Sequence, residues 1–260
     1  MTIQSALPLA NLERFYASTC IKGGMDCQTN GLLRWYDWLS ADQVVRIFFG
    51  DWSRLASFRD DLHAQLLRLP QPVVVLAELP FANGFKTLMD NAGMAISLEA
   101  WGMGLMAWPQ SKDSPLPAGC SLTLIKSPEQ LRDYANLVGT FLTGHRQAET
   151  LVEQAHLWEA MLTGGSTYLA VVDAGGNLIA STTVYQDLAM DCAGIYHVVT
   201  HPDWRGQGLA DYLLRRALEM VQQSGLTNVI LQTAMPNARR IYERLGFSES
   251  VAYRRWTRKE

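Results

Sequence analysis

The chain has 260 residues, 48% of them hydrophobic, and a net charge of −3. This composition excludes a disordered chain and disfavours a nucleic-acid-binding protein, whose surface usually has a basic excess. There is no apolar run long enough for a membrane helix and no signal-peptide pattern, and the four cysteines are too scattered for a disulfide framework or a zinc site, so we expect a cytoplasmic protein with no metal and no membrane or nucleic-acid partner.

The first half of the chain shows a few clear elements before a proline-rich break. The predicted elements are strands at Val44–Phe49 and Val73–Leu79, helices at Ser53–Leu69 and Pro80–Gly93, and one long strand or two at Ala95–Trp108. Residues 109–119 contain three prolines and two serines, which cannot continue a helix or a central strand. The break predicts two domains, residues 1–117 and 118–260.

The second half alternates between strands and helices. Ser127 is placed to cap a helix that begins at Pro128, and Gln130 stands where the partner of a capping box belongs. The other predicted elements are strands at Ser121–Lys126, Tyr168–Val172, Leu178–Tyr185, Cys192–Thr200, Val229–Thr233 and Phe247–Thr257, and helices at Ala148–Leu162, Gln207–Ser224 and Pro236–Leu245. This order predicts an α/β protein with a mixed sheet covered by helices.

Two segments of the chain share one pattern. Residues 73–108 and 229–256 each run strand, proline, helix, glycine and strand, with Gly93-Met94 matching Gly246-Phe247. An ancient duplication explains this pattern. Two ordinary βαβ units with glycine caps explain it equally well.

The stretch from Val198 to Ala210 runs from a strand, through Arg205-Gly206-Gln207-Gly208, into a helix. Glycines let a backbone approach a ligand closely, and the first N–H groups of a helix have no partner within it and favour an anion. A diphosphate site and a purely structural turn are equally consistent with this pattern. Residues 205–260 hold ten basic and five acidic residues, which could meet a phosphorylated ligand or form a solvated face.

A second motif follows, in which Asn237 and Tyr242 lie on a short predicted helix before Gly246-Phe247. Taken alone, Tyr242 fits a half-buried packing aromatic. In this order and spacing, however, the two motifs resemble the GCN5-related N-acetyltransferase (GNAT) superfamily. Arg205-x-x-Gly208-x-Ala210 resembles its acetyl-CoA signature, and the resemblance spans about residues 118–260. The stretch Thr200–Arg205 and the paired layout resemble two-domain, FR47/glycine-N-acyltransferase-like members.

The resemblance implies a GNAT-like acyl-CoA N-acyltransferase fold at the C-terminus and a degenerate GNAT-like domain before it. It implies that strand residues Val198, Val199 and Thr200 bind the pantetheine arm, that Arg205 adds charge at the loop, and that Asn237 contacts the cofactor arm. The residues expected to hold the pyrophosphate through their N–H groups are Gly206, Gln207, Gly208, Leu209 and Ala210. Tyr242 would be the general acid that protonates the departing thiolate.

One departure from the family pattern concerns the general base. Many members have a glutamate on the strand before the signature, and the matching position here is Gly194. His197 could serve as a base, although it should point to the other face of the sheet from Gly194 unless a bulge intervenes. A water chain and an acceptor that arrives deprotonated are equally open, so the base is not assigned.

The resulting expectation is an acyltransferase that moves an acetyl group from acetyl-CoA to a primary amine of a small molecule or peptide by direct attack. The alternative is a non-catalytic acyl-CoA sensor or a protein-interaction module. The N-terminal half lacks a second glycine loop, so we expect one cofactor site. This half holds five of the eight tryptophans and could contain a homodimer interface.

Overall fold

The structure, a computed structural model, describes residues 3–22, 25–29, 31–40, 43–110, 115–143 and 161–259. The helices of at least seven residues are α1 Ile3–Lys22, α2 Arg59–Arg68, α3 Phe85–Asn91, α4 Pro128–Val138, α5 Leu209–Gln223 and α6 Pro236–Arg244. The strands are β1 Cys27–Gln28, β2 Leu33–Ser40, β3 Gln43–Gly50, β4 Val73–Glu78, β5 Met94–Leu105, β6 Ser121–Leu124, β7 Ser166–Val172, β8 Leu178–Asp187, β9 Cys192–Thr200, β10 Asn228–Thr233 and β11 Phe247–Arg258. The predicted α/β class is confirmed.

All of these strands lie in one mixed sheet, in the order β1-β2-β3-β4-β11-β5-β10-β9-β8-β7-β6. The last strand of each half has crossed into the other half, since β5 lies between β10 and β11, and β11 lies between β4 and β5. The strands β5 and β11, each of twelve residues, pair antiparallel from Phe247↔Leu105 to Arg258↔Met94. Among the described strands, β6 has no counterpart; the other strands on either side of this pair follow a symmetrical order, which favours duplication as the origin of the repeated pattern.

Local signals account for most of the element boundaries. The Ser127 hydroxyl accepts a hydrogen bond from the Gln130 amide at 3.2 Å, and the Gln130 side chain returns one to the Ser127 amide at 3.2 Å, so the capping box is confirmed. The predicted helix Ser53–Leu69 is interrupted at Phe58, which separates a 3₁₀ helix at Trp52–Ser57 from α2.

Sequence reasoning missed three of these elements, α1, β1 and β2. Helix α1 contains Pro8, a residue that usually interrupts helices, and its apolar residues follow no strong helical period. Most of the predicted helix Ala148–Leu162 lies outside the described residues.

Helices cover the two faces of the sheet differently. Helices α5 and α6 pack on one face over a cluster that includes Leu213, Leu218 and Tyr242. On the opposite face, α1 brings Leu12 and Phe15 against the side chains of β8, β9 and β10. None of the described helices is both long enough and apolar enough to span a membrane.

Candidate active site

Strands β9 and β10 separate part-way along their length. They pair in parallel from Asn228↔Cys192 to Leu231↔Ile195, and there the pairing ends. Val199 continues to pair with β8 on its other side. The separation therefore leaves one backbone edge of residues 198–200 facing an opening rather than a strand.

A β-bulge lies at the start of this opening. Ser181 pairs with Val199 and Thr183 with Tyr196, so two residues of β9 stand opposite one residue of β8. His197 takes a left-handed conformation there, with φ of 52°, which is uncommon outside glycine and marks local backbone strain. From the sequence, the His197 ring was expected to lie on the same face of the sheet as Gly194 only if β9 contained such a bulge.

The His197 ring is indeed on the α1 face of the sheet. Its Nδ1 lies 2.9 Å from the Tyr134 hydroxyl and 3.4 Å from that of Thr183, and its edge meets the Phe15 ring of α1. The surrounding burial lowers the pKa of His197 to about 4, because a charged imidazolium is poorly solvated there. The ring is therefore neutral at physiological pH. Both hydroxyls contact Nδ1, so Nε2 is the ring nitrogen that they leave available.

The glycine loop lies between β9 and α5. Gly206 and Gly208 have φ of 77° and 81°, a conformation that side-chain-bearing residues adopt only with strain. The loop is solvent-exposed from Arg205 to Gly208. Within the described part of the chain, the N–H groups of residues 206–210 have no hydrogen-bond acceptor. Unpaired N–H groups at a helix N-terminus form an anion site.

The two polar residues expected at the cofactor are both exposed. The Arg205 guanidinium donates to the Thr200 carbonyl at 3.2 Å, which ties the loop to the end of β9. Asn237 stands at the second position of α6, with its side chain in solvent.

Tyr242 is only 5% exposed. Burial raises the pKa of Tyr242 to about 12, so its phenol stays protonated at neutral pH. It shares one apolar cluster with Leu209 of the loop–helix junction and with Val198 of the separated strand. The structure therefore places Tyr242, Leu209 and Val198 in one apolar cluster, while Asn237 and Arg205 lie at the surface.

The Gly194 position has no room for a side chain. A Cβ there would overlap Asn11 Oδ1 and lie 2.5 Å from the Tyr196 hydroxyl. Those two groups are buried and hydrogen-bonded to each other at 2.6 Å. Asn11 comes from α1, about 180 residues earlier in the chain, and no local sequence signal points to it. The same holds for Tyr134 beside His197.

Replacing Gly194 by alanine is expected to destabilise the protein by about 1–3 kcal/mol, because the new methyl group must displace the buried Asn11–Tyr196 pair. Urea denaturation would measure the change. Gly104→Ala is the matched control, since Gly104 is also a strand glycine but has open space where its Cβ would lie; its effect should stay within about 0.5 kcal/mol. Equal free energies of unfolding for the two variants would show that the Asn11–Tyr196 pair can move aside without destabilising the protein.

Comparison with known proteins agrees with this geometry. Residues 132–247, which include the separated strands, the glycine loop and α6, match the acetyltransferase (GNAT) family model. The chain contains a GNAT acetyltransferase domain. This assigns the protein to the acyltransferases. No curated protein sequence matches the chain.

Solved GNAT structures share the fold over nearly the whole chain. A GCN5-related N-acetyltransferase from Kribbella flavida has a TM-score of 0.67 at 15% identity, covering 100% of this chain and 97% of that one. A putative GNAT-family acetyltransferase from Novosphingobium aromaticivorans has a TM-score of 0.61 at 17% identity, covering 96% and 99%. A tandem GNAT protein from the clavulanic acid biosynthesis pathway has a TM-score of 0.61 at 18% identity, covering 88% and 80%. At such identities the likeness is one of fold, and it includes the N-terminal half.

Proposed function

We propose that the protein transfers an acetyl group from acetyl-CoA to a primary amine of a small molecule or peptide by direct attack. The observation that carries this proposal is the end of the β9–β10 pairing at Ile195 and Leu231, on the strand that leads into the glycine loop. Three features support it: the edge of residues 198–200 that no longer pairs with β10, the unpaired N–H groups of residues 206–210, and the protonated phenol of Tyr242, which belongs to the same apolar cluster as Val198 and Leu209.

Each feature suits one part of acetyl-CoA. The amide-containing pantetheine arm can add to the free edge of Val198, Val199 and Thr200 as a further strand would. The pyrophosphate suits the N–H groups of the glycine loop, where the dipole of α5 adds favourable potential. Arg205 adds positive charge at the loop, and Asn237 stands at the rim to contact the arm. Acetyl-CoA itself supplies an activated acyl group on a thiol leaving group.

The chain's residues can then assist the transfer in two ways. Backbone N–H groups near Val198 and Val199 can polarise the thioester carbonyl as negative charge develops on its oxygen. Tyr242 can donate its proton to the departing thiolate, because burial keeps the phenol protonated. Direct attack by the amine forms the amide bond and breaks the thioester bond without a covalent enzyme intermediate.

The proton that the attacking nitrogen loses has three candidate routes. His197 lies on the α1 face with Nε2 unheld by Tyr134 or Thr183, a water chain could lead to solvent, and an amine could arrive already deprotonated. The low pKa of His197 limits its strength as a base towards a free ammonium ion.

The absence of a carboxylate at Gly194 favours a second candidate, a non-catalytic acyl-CoA sensor or protein-interaction module. We also propose that residues 118–260 form the catalytic unit, that residues 1–117 are its degenerate copy, and that the protein acts in the cytoplasm. The free thiols of Cys27, Cys120 and Cys192 are in keeping with a reducing compartment. A homodimer remains part of the proposal.

A calorimetric titration with acetyl-CoA, followed by an amine screen that detects free CoA thiol, tests the enzyme against the sensor. We expect one acetyl-CoA per chain and thiol release that depends on an added amine. Binding without release from any amine would favour the sensor. No binding at millimolar acetyl-CoA would overturn both and leave the interaction module.

A further inference from the structure

The symmetry of the sheet gives the opening between β9 and β10 a counterpart in the N-terminal half. There β3 and β4 are the parallel pair. Their pairing runs from Arg46↔Val73 to Phe48↔Val75 and then ends, although β4 continues to Glu78. A second opening therefore follows Phe48 and Val75.

The two openings begin at equivalent positions. Val75 lies opposite Trp256 of β11, and Leu231, the last paired residue of β10, lies opposite Met103 of β5. Trp256 and Met103 are each the tenth residue of the equivalent strands β11 and β5. The N-terminal half therefore contains the same separation of strands that forms the proposed pantetheine cleft in the C-terminal half.

The N-terminal opening is filled by a side chain of the protein itself. The Trp52 indole N–H donates to the Leu76 carbonyl at 2.9 Å, and Leu76 is the first residue of β4 beyond the pairing. The indole ring lies against Gly50, where a Cβ would come within 2.8 Å of it. Two aromatic rings lie beside it, those of Phe58 and Phe85, and the Phe85 ring centroid is 4.9 Å away at an interplanar angle of 72°.

Other parts of a cofactor site are missing from this half. Helix α2 carries Asp60 and Asp61 in its first turn, which would repel a pyrophosphate. Met89, four residues before Gly93, occupies the place that Tyr242 has before Gly246. Only the uncharged arm of an acyl-CoA would suit the space around Leu76.

We infer that the cleft between β3 and β4 is a closed counterpart of the proposed cofactor cleft, in which the Trp52 indole takes the place of a neutral amide-bearing ligand. The indole N–H satisfies the strand carbonyl that an amide N–H of pantetheine would otherwise meet. Removing the indole opens a site for pantetheine. Only the identity of this ligand rests on the proposed function, since the end of the β3–β4 pairing and the Trp52–Leu76 hydrogen bond are observed directly.

Methionine-methyl NMR can test this with pantetheine as the probe. Met89 and Met94 are fully buried in the cluster that Trp52 packs against, whereas Met103 is buried in the cluster that contains Leu209 and Tyr242. In the wild type, pantetheine should shift the Met103 signal and leave Met89 and Met94 unchanged. In Trp52→Ala it should shift all three. If Trp52→Ala does not fold, Trp52→Val removes the same indole N–H with a smaller loss of volume.

Phe58→Ala is the matched control, because the Phe58 ring packs on Trp52 with centroids 5.8 Å apart but, unlike the indole, has no N–H to donate to the Leu76 carbonyl. It should be destabilised without gaining a pantetheine response at Met89 or Met94. The inference is overturned if a folded Trp52 variant shows no shift at Met89 and Met94, or if these signals respond to indole but not to pantetheine. It is also overturned if pantetheine shifts the Met89 and Met94 signals in Phe58→Ala or in the wild type. If pantetheine does not shift the Met103 signal, the result contradicts the proposed function and not this inference.

Discussion

Replacing Tyr242 by phenylalanine should lower kcat for amine acetylation by about 10²–10⁴-fold, the usual contribution of a general acid. The affinity for acetyl-CoA should change by about twofold or less, since the ring and its packing remain. Among the described residues no hydrogen bond is found for the Tyr242 hydroxyl, so its removal should leave the free energy of unfolding nearly unchanged. Steady-state kinetics, calorimetric binding and urea denaturation measure these three quantities.

Tyr36→Phe provides the opposite pattern and serves as the control. Tyr36 is also a buried tyrosine, but it lies on β2 and its hydroxyl donates to Glu13 at 3.0 Å. Its loss should cost about 1 kcal/mol of stability and leave kcat unchanged. Unchanged turnover in Tyr242→Phe would remove the general-acid assignment. The wild-type kcat should also show no loss attributable to Tyr242 until well above pH 9, because its pKa is raised to about 12.

Replacing Gly208 by valine should raise the dissociation constant for acetyl-CoA at least tenfold. Gly208 precedes α5 with φ of 81°, and a β-branched residue is held in that region only at a cost of about 1–3 kcal/mol. A valine either stays strained or turns the loop, and a turned loop moves the N–H groups of Gly208 and Leu209 away from the phosphate position. Its methyl groups also crowd the approach of the anion.

Gly225→Val separates the loss of binding from the loss of stability. Gly225 follows the other end of α5 with φ of 80°, and both glycines have open space where a Cβ would lie. The two variants should therefore lose similar stability in denaturation, and only Gly208→Val should lose acetyl-CoA affinity. Equal affinities in the two variants would exclude the loop from the cofactor site.

These two sites were accessible to sequence reasoning because their signals are local. The residue type permits the φ > 0 conformation of Gly206 and Gly208, and the spacing from Asn237 to Phe247 marks a helix and the strand after it. The role of Val198, Val199 and Thr200 in binding the pantetheine arm was expected only through the family resemblance. No pattern within Cys192–Thr200 reveals that its partner stops at Ile195.

The features missed by sequence reasoning all depend on distant contacts. The space at Gly194 is taken by Asn11 from α1, and His197 reaches the α1 face only because a bulge changes the alternation of β9. The crossing of β5 and β11 into opposite halves also has no local signature, because the sequence of a strand does not specify which strand pairs with it.

The sequence by itself determined most of the element types, the capping box at Ser127, the place of the glycine loop and the resemblance to an acyltransferase. Those properties arise from φ preferences, caps and periodicity, which act within a few residues. Only the tertiary structure decided which face His197 joins, what fills the glutamate position and how Trp52 occupies the second cleft. These outcomes follow from strand pairing and side-chain packing between segments far apart in the chain. Local sequence does not distinguish the possible partners, and burial and steric fit decide between them.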